Sequence, residues 1–168
     1  SQVSRAAQTL DEELEAWRSR SLGEIIYLYL DARYEKVRQS GSVRDAAILM
    51  ACGVKRDGKR SILGISVSLS EAEAHWRAFL EGLVKRGLQG VRLIISDDHT
   101  GMEAARKAVF TGVPWQRCQF HLQQNAQAYV PKVGMRREVS EDIRTIFNAP
   151  DRETAESYLK KVVEKYAI

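Results

Sequence analysis

Cysteine is scarce in this chain. Cys52 and Cys118 stand far apart in 168 residues, and so few do not make a disulfide framework. That scarcity favours a reducing, intracellular setting. Long apolar runs are missing as well. The longest, Ala46–Cys52, has the length of a buried strand, far short of the roughly 18 residues that a membrane-spanning helix needs. No membrane partner is expected. Ser1–Trp17 is polar with helical spacing, so no signal-peptide pattern opens the chain. The first residue is Ser rather than Met, which fits a piece cut from a longer protein. Repeats and low-complexity segments are absent too. What is present is the composition of an ordinary soluble globule, 44% hydrophobic and 29% charged. The length fits one domain burying roughly 68–70% of its unfolded surface. A net charge of +4 and a pI near 9.1 are compatible with nucleic acid as partner.

Local patterns set out the elements. Ser4–Arg20 spaces Leu10, Leu14 and Trp17 as an amphipathic helix. Ile25–Leu30 is apolar at every position, which predicts a central strand covered on both faces and ending at Asp31. Ala46–Val54 and Arg60–Leu69 are two further strands, joined through Asp57-Gly58, a hairpin signal. In the second of them Leu63, Ile65, Val67 and Leu69 alternate with Gly64, Ser66 and Ser68, the pattern of a half-exposed edge strand. Ser70-Glu71-Ala72-Glu73 reads as a capping box. The helix it opens carries Ala72, Trp76, Phe79, Leu80 and Leu83 on one face, and Gly87 stops it. Val91–Ser96 is a second buried strand, ending at Asp97. Thr100–Phe110 reads as a helix, Trp115–Phe120 as a short strand, and from His121 onward the pattern is helical with a break at Pro150.

Helix, three strands, helix, strand, helix, strand, then helices only is the order of a ribonuclease-H-like α/β fold. Its mixed sheet has three antiparallel strands plus parallel ones, flanked by helices and followed by the start of a helical insertion. The crossover through the second helix lets the strand at 91–96 lie parallel beside the first. Asp31 and Asp97 then project from the same sheet edge. Two bare carboxylates that close repel one another, and a divalent cation relieves the repulsion. Hard oxygen ligands with open positions suit Mg²⁺ and phosphate, and paired ions can drive an in-line phosphoryl displacement. Either aspartate can equally end a strand where a turn begins. Asp98 and His99 sit where helix capping accounts for them, so Asp97 ranks above Asp98.

Other residues carry weaker signals. Cys118-x-x-His121 has half the spacing of a zinc site, but a structural zinc wants four ligands. Cys52, His75 and His99 form no second pair. The plainer reading is a buried Cys followed by a His at a strand-to-helix junction. Basic residues fall in small clusters, of which Arg33 and Lys36 directly follow Asp31 and are the better placed for phosphate. Trp115, Arg117 and Tyr129 suit either base stacking or the core.

The ordered blocks carry a resemblance over nearly the whole chain. LDEELEAWRSRSL leads into YLYLDARYEKVR, then ACGVKRDGKRSILG, WRAFLEGLVKRGLQGVRLIISDDHTGMEAA and WQRCQFHLQQNAQAYVP. This series resembles the middle of the Mutator-type transposases of bacterial insertion sequences. The resemblance implies a ribonuclease-H-like core with an Asp-Asp-Glu triad binding Mg²⁺, for which Mn²⁺ can substitute. Asp31 in LDARY matches its first acid and Asp97 in ISDDHTG its second, although Asp98 stands where relatives often have a small residue. Cys118 and His121 match a Cys-x-x-His element whose role is structural or in DNA contact. The third acid follows a helical insertion, and the chain ends at Ile168 inside it. None of Glu138, Glu141, Glu153, Glu156 and Glu164 is assigned. The implied organisation is an N-terminal helix over 1–22, a catalytic core over 23–121 and a helical region over 122–168.

The implied function is hydrolysis of a phosphodiester at the element end, followed by attack of the freed 3′-hydroxyl on target DNA. The partners are double-stranded DNA, both transposon ends and target, and further copies of the chain in a homo-oligomer. The setting is cytoplasmic and nucleoid-associated, and the isolated piece is inactive without the third acid. The alternatives are another ribonuclease-H-like nuclease without strand transfer, such as a junction resolvase, and a non-catalytic DNA-binding module derived from a transposase.

Overall fold

In the computed structural model residues 2–39 and 41–167 are described. Ser1, which opens the polar N-terminal segment, and Ile168, expected to fall inside an insertion, lie outside them. Two compact units divide the chain, 1–116 and 117–168.

The first unit is built on a sheet in the order β3-β2-β1-β4-β5. Its strands are β1 (Tyr27–Gln39), β2 (Ser42–Val54), β3 (Arg60–Ser68), β4 (Leu93–Ser96) and β5 (Trp115–Arg117). β1 and β2 pair antiparallel, as do β2 and β3, while β4 runs parallel to β1. This is the mixed ribonuclease-H-like sheet expected from the element order. Three helices accompany it: α1 (Gln2–Ser19), α2 (Glu73–Lys85) and α3 (Thr100–Val109). α2 and α3 pack on one face, where Trp76, Leu80, Leu83, Met102 and Ala105 close over Leu28, Leu30, Leu49 and Ile94. Burying a large aliphatic or aromatic side chain stabilises a fold by about 1.5–3 kcal/mol, so this layer holds the unit together.

The opposite face departs from the expectation of full coverage. Tyr27 and Tyr29 are exposed at 44% and 37%, so in the described chain β1 is covered on one side. A β-bulge between Ala51 and Cys52 of β2 leaves Leu63 as an extra residue on β3. Leu63 therefore stays in the core, while Ile65 and Val67 turn to the open face and are exposed. β3 is the edge strand, as its alternation indicated.

Several boundaries differ from the sequence patterns. β1 does not end at Asp31 but continues to Gln39, because β2 pairs with it out to Gln39–Ser42. That stretch is mostly polar, and its apolar residues, Ala32, Tyr34 and Val37, do not keep a strand alternation. The capping box does not form. α2 starts at Glu73, with Ala72 at the N-cap and no side-chain cap, and Ser70 Oγ accepts instead from Ala72 N–H at 3.4 Å. The end of α2 is as anticipated. Gly87 has φ +86°, its N–H reaches Val84 O at 2.9 Å, and Leu88 N–H reaches Leu83 O at 3.1 Å, a Schellman closure. Along α1, Leu10 and Leu14 are exposed at 65% and 41%, and only Trp17 of the apolar stripe is half-buried.

The second unit is helical: α4 (Gln119–Ala128), a short 3-10 turn (Val133–Met135), α5 (Arg136–Phe147) and α6 (Arg152–Tyr166). After the Pro150 break Asp151 caps α6, accepting from Thr154 N–H at 2.8 Å. Among the described residues no helix is long and apolar enough to cross a membrane.

Candidate active site

Strand register positions the two candidate aspartates. The parallel pairing sets Tyr27 against Leu93, Leu28 against Ile94 and Tyr29 against Ile95. The pairing stops there, two residues before Asp31 on β1 and two before Asp97, which follows the last residue of β4. Alternation along β1 puts Asp31 on the face of Tyr29, opposite the helical layer. Both aspartates are half-buried. Asp31 Oδ1 accepts from Ala32 N–H at 2.9 Å, and Asp97 Oδ1 is out of contact with solvent. Met50 of β2 stands across from Asp31, so Asp31 sits at the rim of an apolar sheet face.

This donor set consists of hard carboxylate oxygens, one of them already desolvated, and it fits Mg²⁺ or Mn²⁺ rather than a thiophilic metal. Among the described residues no group of three or more His, Cys, Asp or Glu gathers to hold a metal. Asp98 is exposed beside it. His99 occupies the N-cap of α3 without a side-chain cap bond, so side-chain capping does not account for it. Its Nδ1 lies 3.9 Å from Glu71 Oε2 instead.

Basic residues follow the first acid at once. Arg33 Nε lies 2.6 Å from Glu35 and Lys36 Nζ 3.8 Å from Asp45, so acidic neighbours on the same strands already balance both. Cys118 is the N-cap residue of α4 and His121 lies in its first turn; both are half-buried and belong to the second unit. His121 meets Phe120 edge-on, with ring centroids 5.4 Å apart. The glutamates left unassigned stand on α5 and α6. Glu138 pairs with Lys165 at 2.8 Å, Glu141 with Arg137 at 2.9 Å and Glu156 with Arg152 at 2.7 Å.

The family model described as "Transposase, Mutator family" matches residues 1–168. The chain belongs to the Mutator family of transposases. The Mutator-family chain is 60% identical over 95% of its length to the transposase for insertion sequence element IS406 of Burkholderia multivorans. It is 38% identical over its full length to that for ISRM5 of Rhizobium meliloti, and 36% identical over 98% to that for IS256 in transposon Tn4001 of Staphylococcus aureus. It spans 41–42% of the length of these curated relatives. Distant likenesses reach solved structures as well. The HTLV-2 integrase catalytic core domain in complex with magnesium (trimeric form) aligns with 86% of each chain, TM-score 0.40 and 13% identity. The Drosophila P element transposase strand transfer complex aligns with 75% of this chain and 40% of that one, TM-score 0.38 and 14% identity.

Behind Asp97 lies a support that the Mutator-family sequence did not advertise. Trp115 Nε1 donates to Ser96 Oγ at 2.8 Å, and Ser96 Oγ donates to Asp97 O at 2.9 Å. Arg106, 8% exposed, lies over the Trp115 ring at 4.8 Å. Trp115 is thus a structural residue rather than a stacking platform. The available signal was the polar Ser96 in an otherwise apolar strand, which demands a buried partner. Tyr129, in contrast, is 87% exposed and is no core residue.

Proposed function

We propose that this chain is the part of a transposase catalytic domain that carries two of its metal-binding carboxylates, Asp31 and Asp97. The observation that supports the reading is the parallel β1–β4 pairing, which runs to Tyr29–Ile95, two residues short of each acid. The substrate is double-stranded DNA, both transposon ends and target, and the working form is an assembly of copies on paired ends.

Asp31 and Asp97 would hold Mg²⁺, with Mn²⁺ as a substitute. When bound, the metal makes a water or a 3′-hydroxyl a better nucleophile and stabilises the oxygen that leaves phosphorus. The residues here supply position. Ser96 and Trp115 fix the backbone from which Asp97 projects, and the Ala32 N–H fixes Asp31. Arg33, on the same face of β1 as Asp31, would lend positive charge towards phosphate, while Lys36 stands on the other face of the strand. In the first step water adds to phosphorus and the bond to the 3′-oxygen breaks, leaving a 3′-hydroxyl at the element end. In the second that hydroxyl attacks a target phosphodiester and displaces a target 3′-oxygen. Positioning and electrostatic stabilisation are most of what phosphoryl transfer requires. The third acid is expected from a segment outside these residues.

The test uses the full-length protein with Mg²⁺ or Mn²⁺ on DNA bearing the element ends. Asp31→Asn and Asp97→Asn should each abolish cleavage and joining and leave the circular dichroism spectrum and DNA binding in place, because phosphate contacts come from Lys and Arg. Either variant retaining wild-type cleavage sinks the assignment. Cleavage without joining marks a nuclease instead, and metal-independent binding alone marks a DNA-binding module.

A further inference from the structure

β1 and β2 outrun the rest of the sheet. β4 leaves β1 after Tyr29, and β3 leaves β2 at the Ala47–Ser68 pair. Beyond it the antiparallel ladder goes on alone, from Glu35–Ala46 to Gln39–Ser42. Those five pairs make an arm roughly 17 Å long at about 3.4 Å per residue. A free two-stranded ribbon is marginally stable in water, and this one exposes Val43 at 59%. Its root at Glu35 lies four residues along β1 from Asp31, roughly 14 Å at about 3.4 Å per residue.

Its charges are arranged by face. Among the described residues Arg33 and Lys36 are in ion pairs with Glu35 and Asp45, whereas neither Arg38 nor Arg44, farther out, is in one; Arg44 Nε donates to Ser42 Oγ at 3.2 Å. Val37 pairs with Arg44 and Arg38 with Val43. Alternation therefore puts Arg44 on one face of the ribbon and Arg38 on the other. A flat anionic surface would recruit cations to a single face. A groove with an anionic wall on each side recruits both. A ribbon with side chains on both faces is about 10 Å thick by the spacing of packed sheets, and the major groove of B-DNA is roughly 12 Å wide and 8.5 Å deep.

We propose that the β1–β2 arm is a DNA-docking blade that enters the major groove edge-on, Arg38 and Arg44 each meeting the phosphates of one wall, and so holds the duplex against the Asp31 edge of the sheet. This deepens the transposase reading and rests on it for the identity of the duplex as substrate.

The experiment measures binding of the protein to a mixed-sequence duplex of about 30 base pairs across a salt series. Each phosphate contact contributes about −0.9 to the slope of log K against log salt concentration. The double variant Arg38→Gln/Arg44→Gln should make the slope about 2 units less steep. A charge-matched control on exposed helix positions, Arg5→Gln/Lys85→Gln, should leave it within about half a unit. Methylating guanine N7, which lines the major groove, should weaken the wild type several-fold and the arm variant little further. An unchanged slope in the arm variant, an equal change in the control, or indifference to N7 methylation overturns the blade. In those cases a wild type that binds the duplex and cuts it in an Asp31-dependent way leaves the transposase reading standing. A wild type that binds no duplex at any salt overturns both.

Discussion

Gly101 and Gly82 both sit inside helices, and the space around them differs completely. A Cβ built on Gly101 would lie 2.2 Å from the Glu71 carbonyl oxygen and 3.0 Å from Glu73 N. The first turn of α3 is therefore pressed against the backbone that leads into α2, four residues after Asp97. Backbone cannot swing aside as a side chain can. Gly101→Ala should cost about 1–3 kcal/mol, the range for overpacking, and lower the melting temperature by about 2–10 °C. A Cβ on Gly82 would meet nothing within 4 Å. There the glycine only adds chain entropy to the unfolded state. Gly82→Ala should stabilise by about 0.5–1 kcal/mol. Thermal unfolding of the two variants side by side checks both signs; two shifts in the same direction would refute the packing argument. Nothing in the sequence distinguishes these glycines, since each is flanked by helix-forming residues. The close approach between α3 and the residue 71–73 backbone is a tertiary fact.

Elements with their own periodicity were legible, and those held by neighbours were not. α2 was readable from Trp76, Leu80, Leu83 and the Gly87 stop, and the strand at 93–96 from its run of Leu and Ile. The outer half of β1 was invisible because in Arg33–Gln39 the apolar residues are only Tyr34 and Val37, which do not alternate, and pairing with β2 keeps the stretch extended. The same reasoning governs the α5–α6 hairpin, tied by polar contacts between residues 23 and 24 apart. Lys165 Nζ and Tyr166 Oη each donate to Asp142 Oδ2 at 2.7 Å. Lys165 first, then Tyr166, hold the Asp142 carboxyl below its usual value. Asp142 and then Glu138 push Lys165 above the ordinary lysine value. The lowered acid binds fewer protons folded than unfolded, so its contribution is complete above about pH 4 and is lost as pH falls through the depressed value. The raised lysine contributes fully below about pH 10 and less as pH rises past it. Asp142→Asn should lower the melting temperature by a few degrees at pH 7, and the gap to wild type should shrink towards pH 2. A gap that stays constant with pH would show that packing, not charge, joins these helices.

At the scale of the whole molecule, what the sequence displayed was the frame of a site rather than a finished one. The helical crossover predicted a parallel β1–β4 pair, and the observed pairing is parallel, ending two residues short of Asp31 and Asp97. The support behind them, Ser96 with Trp115 and Arg106, depends on residues up to 19 positions apart, a separation that no local pattern reports. The frame is also partial. Among the described residues no group of three or more His, Cys, Asp or Glu gathers to hold a metal, and the glutamates of α5 and α6 are for the most part engaged with Lys or Arg. With two carboxylates alone, a bound cation has fewer protein anchors than a two-metal displacement needs, and its place relative to the scissile phosphate is loosely set. The 168-residue chain by itself should therefore bind duplex DNA in a salt-dependent manner, take up Mn²⁺ or Mg²⁺ weakly, and cut little or not at all. A longer protein that supplies a further carboxylate should cut. Assaying both on DNA with element ends, under the same metal series, makes the comparison. Robust cleavage by the 168-residue chain, lost on changing one of its own glutamates to glutamine, would mean that the ligand set is complete within it and that α5 or α6 delivers the missing acid.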